Sequence, residues 1–297
     1  MSSVHKIALG TVQWGLAYGI ANQTGRPDAA QIGAMLMEAR ERGIAFLDTA
    51  RAYGEAERIL GEFRAVSGSL RVFTKTPPLR ADFLTDRHVR SVSRAFRESL
   101  KRLHREHVDG LLVHNADNLL IPGGERLWAL LQALKAEQRV GKIGVSVYHP
   151  EQLSKTLDRF RVDVAQLPFN IYDQRFAQTG VLGALKKLGV EVHSRSTFLQ
   201  GLLLLIPKKL PRHFECIREH QMRLHRNVAN TGQTLVASAL RFSLNQGDID
   251  YVVVGCEILS QLREILDAAE TDDTEMVDLT AFALSDEEIL DPSRWSV

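Results

Sequence analysis

The sequence predicts an α/β protein of the closed (β/α)8 TIM-barrel class, with long loops after its first and seventh strands. Eight short apolar runs rich in Val, Ile and Leu alternate with longer segments whose apolar residues recur at helical spacing. Continuous apolar runs are typical of strands that are buried on both faces of a parallel sheet. No Gly-x-Gly-x-x-Gly motif follows any of these runs, which disfavours the rival architecture, an open doubly wound sheet.

The predicted strands are distributed along nearly the whole chain. They span residues 7–9, 45–47, 72–74, 110–113, 143–147, 164–167, 190–192 and 251–254. Between them, apolar residues at helical spacing define faces that pack on a core. These faces begin at Ile32, Ala56, Val89, Leu127, Leu182, Leu235 and Leu259. Strands and helices that alternate in this order predict a parallel barrel ringed by helices.

Two predicted loops are longer than the others. Residues 14–27 follow the first strand and residues 195–212 follow the seventh. Long loops in compact domains are disproportionately functional. No change of composition marks a boundary, so we expect one domain over residues 1–297, with the acidic residues 271–297 as a C-terminal tail.

Composition and charge exclude several classes of protein. Of the 297 residues, 44% are hydrophobic and 25% are charged, which excludes disordered and disulfide-scaffold classes. Lys and Arg number 37 against 36 Asp and Glu, a balance that indicates no nucleic-acid or membrane partner. Cys216 and Cys256 are the two cysteines, too few for a disulfide framework or a Cys-rich zinc site. Because no signal-peptide pattern or membrane-length apolar run occurs, we expect a cytoplasmic location.

Four polar residues are predicted to meet at one end of the barrel. Asp48, Lys75 and His114 end the second, third and fourth strands, and Tyr53 follows Asp48 by five residues. Reactive groups of parallel barrels cluster at the C-terminal ends of the strands. Since neighbouring strands lie only ~4.8 Å apart, these side chains are expected to share one site.

This quartet has the parts of an acid–base site. A lysine ammonium would lower the pKa of a neighbouring tyrosine towards neutrality and make the phenol a proton donor. An aspartate would keep that buried lysine charged. A histidine would donate a hydrogen bond to a carbonyl oxygen that gains negative charge. None of these groups is a strong electrophile or nucleophile, so a reducing cofactor must supply the electrons.

Motifs spread over residues 6–270 resemble those of the aldo-keto reductases. They are Leu9-Gly10-Thr11 with Gln13-Trp14-Gly15, Phe46-Leu47-Asp48-Thr49-Ala50 with Tyr53-Gly54, Thr74-Lys75, Val113-His114, Gly144-Val145-Ser146, Gln166, Asn170 and Gln200-Gly201. The resemblance implies a barrel that reduces an aldehyde or ketone with hydride from NADPH or NADH. It makes Tyr53 the proton donor, with Lys75 and Asp48 tuning it and His114 orienting the carbonyl.

The same resemblance implies where the cofactor binds. The implied cofactor residues are Thr11, Ser146, Gln166, Arg195, Ser196, Gly201, Gly255, Cys256, Gln261 and Glu264, and Trp14 is an implied wall of the substrate pocket. Four positions depart from the family pattern. Val147 and Ile265 replace asparagines, Gln261 replaces the arginine of many NADP-preferring members, and Arg195 stands where many members stack an aromatic ring on the nicotinamide. NADP is expected from the family as a whole. NAD is the alternative, because residues 256–262 contain no cation and Glu257 is anionic.

Three functions remain open at this stage. The first is an NAD(P)-dependent reductase of a small-molecule carbonyl compound. In favour of this function, the segments at residues 9–15 and 195–201 resemble those of bacterial family members found with surface-polysaccharide genes, which indicates a sugar-like substrate. The second is a cofactor-binding regulatory subunit with little turnover. The third is a barrel isomerase or lyase that uses Lys75 as a Schiff-base nucleophile.

Overall fold

The strands of the barrel form from the apolar runs. The computed structural model describes residues 3–271 and 278–295. Its strands are β1 Ile7–Gly10, β2 Phe46–Asp48, β3 Arg71–Lys75, β4 Val108–Val113, β5 Val140–Ser146, β6 Val164–Pro168, β7 Glu191–Arg195 and β8 Tyr251–Gly255. All neighbours pair in parallel and β8 pairs with β1, so the sheet is closed. The predicted (β/α)8 TIM barrel is confirmed.

Helices occupy the connections between the strands. They are α1 Val12–Gly15, α2 Ala29–Glu41, α3 Ala56–Glu62, α4 Arg64–Ser67, α5 Asp86–Arg102, α6 Asp117–Leu120, α7 Gly124–Ala136, α8 Pro150–Leu157, α9 Arg175–Gln178, α10 Val181–Lys187, α11 Arg218–Ala229, α12 Leu235–Leu244, α13 Leu259–Glu270 and α14 Glu287–Leu290. The apolar faces found in the sequence lie within α2, α3, α5, α7, α10, α12 and α13. Helices α8 and α11 are not predicted from the apolar spacing, because the buried faces of both helices include a glutamine.

Several strands extend beyond their apolar runs. Strand β5 begins at Val140, three residues before its predicted start, because Val140 pairs with Val108 in the ladder. Strand β7 continues to Arg195, which pairs with Pro168. Backbone hydrogen bonds extend the ladder through polar residues as readily as through apolar ones. The polar ends are therefore parts of the strands, and the barrel fixes their positions.

The side chains inside the barrel form two layers. The lower layer is apolar apart from His193, which packs on the rings of two of its residues. Its apolar members are Ala8, Phe46, Phe73, Leu112, Val164 and Val253. Alternate residues of a strand point to the same side, so the residue two positions further along each strand also points inward. Those residues are Gly10, Asp48, Lys75, His114, Gln166 and Gly255. The interior is thus mainly apolar below and polar at the C-terminal mouth.

The two long loops meet above this mouth. The backbone N–H of Ile20, in the loop after β1, donates to the carbonyl of Gln200, in the loop after β7, at 3.1 Å. Beside it, Gly201 has φ 87°, and a Cβ there would lie 2.4 Å from the Cβ of Ala21. Glycine is therefore required at position 201 both for the backbone conformation and for the approach of the two loops.

The described part of the predicted tail packs on the segment after β7. Phe282 and Ile289 belong to the same apolar cluster as Phe214, and the rings of Phe214 and Trp295 lie 4.9 Å apart. The backbone N–H of Leu284 donates to the carbonyl of Tyr172 at 2.8 Å. Residues 272–277 and 296–297 of the tail lie outside the described residues.

Candidate active site

A buried ion pair lies at the centre of the mouth. Lys75 Nζ, at the end of β3, lies 2.6 Å from Asp48 Oδ1, at the end of β2. The two side chains are 1% and 5% exposed. Lys75 also donates to the carbonyl of Thr49 at 3.1 Å, and Gln166 Nε2 donates to Asp48 Oδ2 at 2.8 Å. These additional hydrogen bonds offset part of the desolvation of both charges, as a buried pair requires.

Tyr53 lies directly beside this pair. Its hydroxyl accepts a long hydrogen bond from Lys75 Nζ at 3.4 Å. The turn that carries Tyr53 packs on Gly15 of α1, where a Cβ would lie 1.7 Å from the carbonyl oxygen of Tyr53. Any larger residue at position 15 would displace the turn. The backbone therefore holds the phenol in place next to the ammonium.

The pKa of Tyr53 corrects one expectation. Burial, together with the negative charge of Asp48, raises the pKa of the phenol, and the opposing effect of Arg195 is smaller. The expected lowering towards neutrality is wrong for this structure. The physical reason is that burial penalises the charged phenolate more than any neighbour favours it, and the carboxylate of Asp48 adds to this effect. Tyr53 is therefore protonated at physiological pH.

His114 completes the quartet immediately after β4. Its ring meets that of Tyr53 edge to face, with centroids 5.8 Å apart. Burial, reinforced by the charges of Lys75 and Arg195, lowers the pKa of His114 to about 3. The imidazole is therefore neutral and carries one N–H donor. Its Nδ1 is buried and has no hydrogen-bond partner among the described residues. Because His114 lines the cavity at the mouth, a ligand there can contact the ring.

Arg195, at the end of β7, adds a second cation to the site. Its guanidinium carbon lies 4.2 Å from the ring centroid of Tyr148, a cation–π distance. It donates to the carbonyl of Val147 at 3.1 Å and to Ser196 Oγ at 3.2 Å. Tyr148 is not among the site residues that the motifs predict. Its position directly after β5 places it at the mouth, where it orients Arg195.

These residues surround a cavity of about 430 Å³ at the C-terminal mouth. From the predicted set, its lining includes Thr11, Asp48, Tyr53, His114, Ser146, Gln166, Arg195, Ser196, Gly201, Gly255, Gln261 and Glu264. Tyr18, Gln200 and Glu257 line it as well. Lys75 does not line the cavity itself. It lies behind Tyr53 and contacts the hydroxyl of this residue. The volume is within the range of small-molecule sites.

Two residues of the predicted set lie elsewhere. Trp14 is 1% exposed and belongs to the apolar core between strands and helices, so its position does not support a wall of the substrate pocket. Cys256 is 2% exposed, and its Sγ lies 3.6 Å from Met35 Sδ. Neither side chain lines the cavity. Both turn towards the helices, an orientation that motif position alone does not reveal.

Comparison with known proteins identifies the family. The Aldo/keto reductase family model matches residues 6–283. The chain belongs to this family. This aldo-keto reductase is 29% identical over 277 residues to L-galactose dehydrogenase from Arabidopsis thaliana, covering 88% of this chain and 84% of that protein. An aldo-keto reductase from Bacillus halodurans, solved in its holo form, matches 98% of this chain and 95% of its own with a TM-score of 0.74 at 18% identity. The structural likeness shows the shared fold.

The cavity of this aldo-keto reductase fits a nicotinamide dinucleotide. Thr197 lines the cavity and is 2% exposed, yet its Oγ1 has no hydrogen-bond partner among the described residues. At Gly255 a Cβ would lie 2.5 Å from Gln13 Nε2, so glycine makes room there for the Gln13 amide, whose Oε1 also has no hydrogen-bond partner among the described residues. Loops after the seventh and eighth strands of such barrels frequently bind phosphate. Both features suit an extended ligand that carries polar groups along its length.

The described residues contain neither a metal cluster nor a membrane-spanning helix. Among residues 3–271 and 278–295, no group of three His, Cys, Asp or Glu side chains is placed to hold a metal ion. Within the same ranges, no helix combines the length and the apolar character needed to cross a bilayer.

Proposed function

We propose that this protein is an NAD(P)-dependent oxidoreductase that reduces an aldehyde or ketone, with Tyr53 as the proton donor. The observation that carries the proposal is the contact of the Tyr53 phenol with Lys75 Nζ at 3.4 Å, beside a neutral His114 on the wall of one cavity. The family membership supports oxidoreductase chemistry on carbonyl compounds.

Each member of the quartet has a distinct task in this reaction. The N–H of His114 and the O–H of Tyr53 donate to the carbonyl oxygen of the substrate and stabilise the negative charge that develops there. Tyr53 then releases its proton to this oxygen. Lys75 stabilises the phenolate that remains, and Asp48 holds Lys75 in place at 2.6 Å. The raised pKa of Tyr53 keeps the proton on the phenol until the oxygen becomes strongly basic.

The cofactor, when bound, would supply the hydride. Ser146 and Gln166 end β5 and β6 on the cavity wall and would hold its carboxamide. Arg195 would present its guanidinium plane, already oriented by Tyr148, to the nicotinamide ring. Ser196 and Gly201 would contact its phosphates from the loop after β7. Val147 is fully buried, so the position where the family usually has an asparagine contributes no polar side chain.

We further propose a sugar-like substrate. The cavity presents hydroxyl, amide and guanidinium groups from Tyr18, Tyr148, Gln200 and Arg195, which can hydrogen-bond to several hydroxyl groups. A similar protein carries the name L-galactose dehydrogenase. Both observations favour a polar, polyhydroxylated carbonyl compound or the corresponding alcohol.

The position of Lys75 argues against a Schiff-base mechanism. Its amine is not part of the cavity lining and lies within hydrogen-bonding distance of Asp48, Thr49 and Tyr53. A carbonyl carbon would have to displace all three partners to reach it. The reductase assignment requires no such rearrangement.

Replacement of Tyr53 by phenylalanine tests the proposed role. The variant keeps the ring and loses the proton, so we expect turnover of sugar aldehydes to fall by ~10²–10⁴-fold. Dinucleotide affinity, measured by fluorescence titration, should remain close to that of the wild type. Tyr251→Phe is the matched control, since it removes a phenol that lies outside the cavity lining and contacts Arg71, and it should retain most of its turnover.

Undiminished turnover in Tyr53→Phe would refute the assignment of the proton donor. A wild-type protein that binds dinucleotide but turns over no member of a broad aldehyde panel would instead favour the regulatory-subunit function. The replaced positions Val147, Arg195 and Ile265 make that outcome the principal alternative.

A further inference from the structure

The end of the cavity opposite Tyr53 and His114 is acidic. It is formed by the end of β8 and the first turns of α13, which contribute Glu257, Gln261 and Glu264 to the lining. Gln261 and Glu264 are three residues apart on α13 and therefore lie on the same face of the helix. Glu257 is held next to them, since its backbone N–H donates to Gln261 Oε1 at 2.8 Å. Two carboxylates thus border this end.

No cation balances these carboxylates within the cavity. Among the described residues that line it, Arg195 is the single arginine or lysine. Arg195 lies at the end of β7, stacked on Tyr148 and hydrogen-bonded to Val147, so it belongs to the reacting end. The acidic end therefore contains no group suited to bind a phosphate dianion.

The nearest arginines along α13 and α12 are engaged elsewhere. Arg263 does not line the cavity, and its Nε donates to Glu38 Oε2 of α2 at 3.0 Å. Arg241 does not line the cavity either, and it donates to the carbonyl of Ala268 at 3.2 Å and to Gln233 Oε1 at 3.3 Å. Recruiting Arg263 to the cavity would break an ion pair and leave Glu38 with Arg42 alone.

The placement of a dinucleotide along this cavity follows from its two ends. The reacting end must lie at Tyr53 and His114, where the proton donor is. Phosphates bind at the loops after β7 and β8 in such barrels, where Thr197 Oγ1 has no partner among the described residues. The adenosine ribose then falls against the first turns of α13, next to Glu257 and Glu264.

We propose that Glu257 and Glu264 make this enzyme select NAD(H) over NADP(H). Their carboxylates accept hydrogen bonds from the 2′- and 3′-hydroxyls of the adenosine ribose, as an acidic residue does in other NAD-binding proteins. They repel the 2′-phosphate of NADP(H), for which the cavity offers no compensating cation. This inference rests on the proposed function and adds the residues that choose the cofactor. It favours NAD, against the NADP expected from the family as a whole.

Equilibrium titration with each reduced dinucleotide tests the proposal without any turnover. Quenching of tryptophan fluorescence in the wild-type protein should give a Kd for NADH at least about tenfold lower than that for NADPH at equal ionic strength. In the double variant Glu257→Gln/Glu264→Gln, NADPH should bind several-fold more tightly and NADH more weakly. The ratio of the Kd for NADPH to the Kd for NADH should therefore fall, because both affinities change.

Two further variants serve as controls. Glu270→Gln lies on the same helix, but its carboxylate contacts Arg42 outside the cavity, so it should leave the affinity ratio unchanged. Arg263→Gln should leave NADPH affinity unchanged as well. Glu264 is exposed and Glu257 partly so, and thermal melting curves will show that each variant is folded.

The outcomes separate this inference from the function on which it rests. Equal or tighter binding of NADPH by the wild type, or a loss of NADPH affinity in Arg263→Gln, would overturn the selection of NAD(H) and leave the reductase proposal standing. Failure of the wild type to bind either dinucleotide would overturn the reductase proposal itself.

Discussion

The two layers inside the barrel lie on the same strands and differ in what they do. Phe46 and Phe73, in the lower layer, are each followed two residues later by Asp48 and Lys75, in the upper layer. The lower rings pack against each other, with centroids 4.6 Å apart. The upper side chains form an ion pair next to the cavity. Burial is nearly complete in both layers, so burial alone does not distinguish a site from a core.

The lower layer also contains a titratable group. His193 of β7 is fully buried among the rings of Phe46, Phe73 and Tyr251, with centroid distances of 4.7, 5.0 and 5.3 Å. Its Nε2 pairs with Glu191 Oε1 at 2.9 Å. His193 does not line the cavity, whereas Arg195, two residues further on, does. Access to the mouth of the barrel therefore distinguishes the reactive layer from the lower one. A buried titratable side chain does not, because both layers contain one.

Removal of the ammonium from the upper layer should have the largest effect. Lys75→Met leaves Asp48 buried without its counter-ion, and the loss of such a partner typically costs about 3–5 kcal/mol of stability. The variant should also lose turnover, because Tyr53 loses the group that stabilises its phenolate. Urea unfolding and steady-state kinetics measure the two effects.

Phe46→Leu is the matched change in the lower layer. It should reduce the free energy of unfolding by only about 1–2 kcal/mol. Turnover per folded molecule should stay near the wild-type value. If Phe46→Leu reduced turnover as strongly as Lys75→Met, the functional separation of the two layers would be wrong.

The pH dependence of stability should report the histidine of the lower layer. Burial lowers the pKa of His193 in the folded state, so the folded chain resists a proton that the unfolded chain accepts below pH ~6.5. The free energy of unfolding therefore falls as pH falls below this value, by up to ~1.4 kcal/mol per pH unit for each such group. His114 contributes in the same direction, since its pKa is also lowered.

His193→Phe should remove the contribution of the lower layer and retain that of His114. Denaturant unfolding between pH 7 and pH 5 should then show a shallower loss of stability than in the wild type. Turnover at pH 7 should be preserved, because His193 lies outside the cavity. An identical pH dependence in variant and wild type would show that His193 accepts its proton in the folded chain.

The sequence predicts which residues form the upper layer better than it predicts the pKa values of the side chains there. Asp48, Lys75 and His114 are recognisable because ionisable residues end or follow apolar runs, and the closed barrel brings such positions together. Strand ends at Ser146 and Arg195 are less certain from sequence, because the apolar run and the backbone ladder stop at different residues. The direction of the pKa shift of Tyr53 is not predictable from the motifs, since it depends on how deeply the phenol is buried and on its position relative to Asp48.

Positions outside the strands are the least predictable. Trp14 and Cys256 directly follow or precede cavity-lining residues, yet their side chains turn into the core. One residue along an irregular segment suffices to change which side a side chain faces. Glu257, adjacent to Cys256, shows the converse, because its side chain lines the cavity although the family motif does not include it.

The smallest expected effect concerns the reactivity of the two thiols. It tests whether Cys256 is closed off from the cavity that its two neighbours line. Cys256 lies between cavity-lining residues Gly255 and Glu257, but burial raises the pKa of its thiol to about 12, and a protonated buried thiol is inert. Cys216 is exposed. An aromatic disulfide reagent should therefore titrate one thiol in the native protein and two after denaturation, without loss of turnover. Cys216→Ser should abolish the reaction of the native protein with the reagent. Rapid inactivation of that variant by the reagent would show that Cys256 is open to the mouth. The cavity would then extend into the layer that we assign to the core.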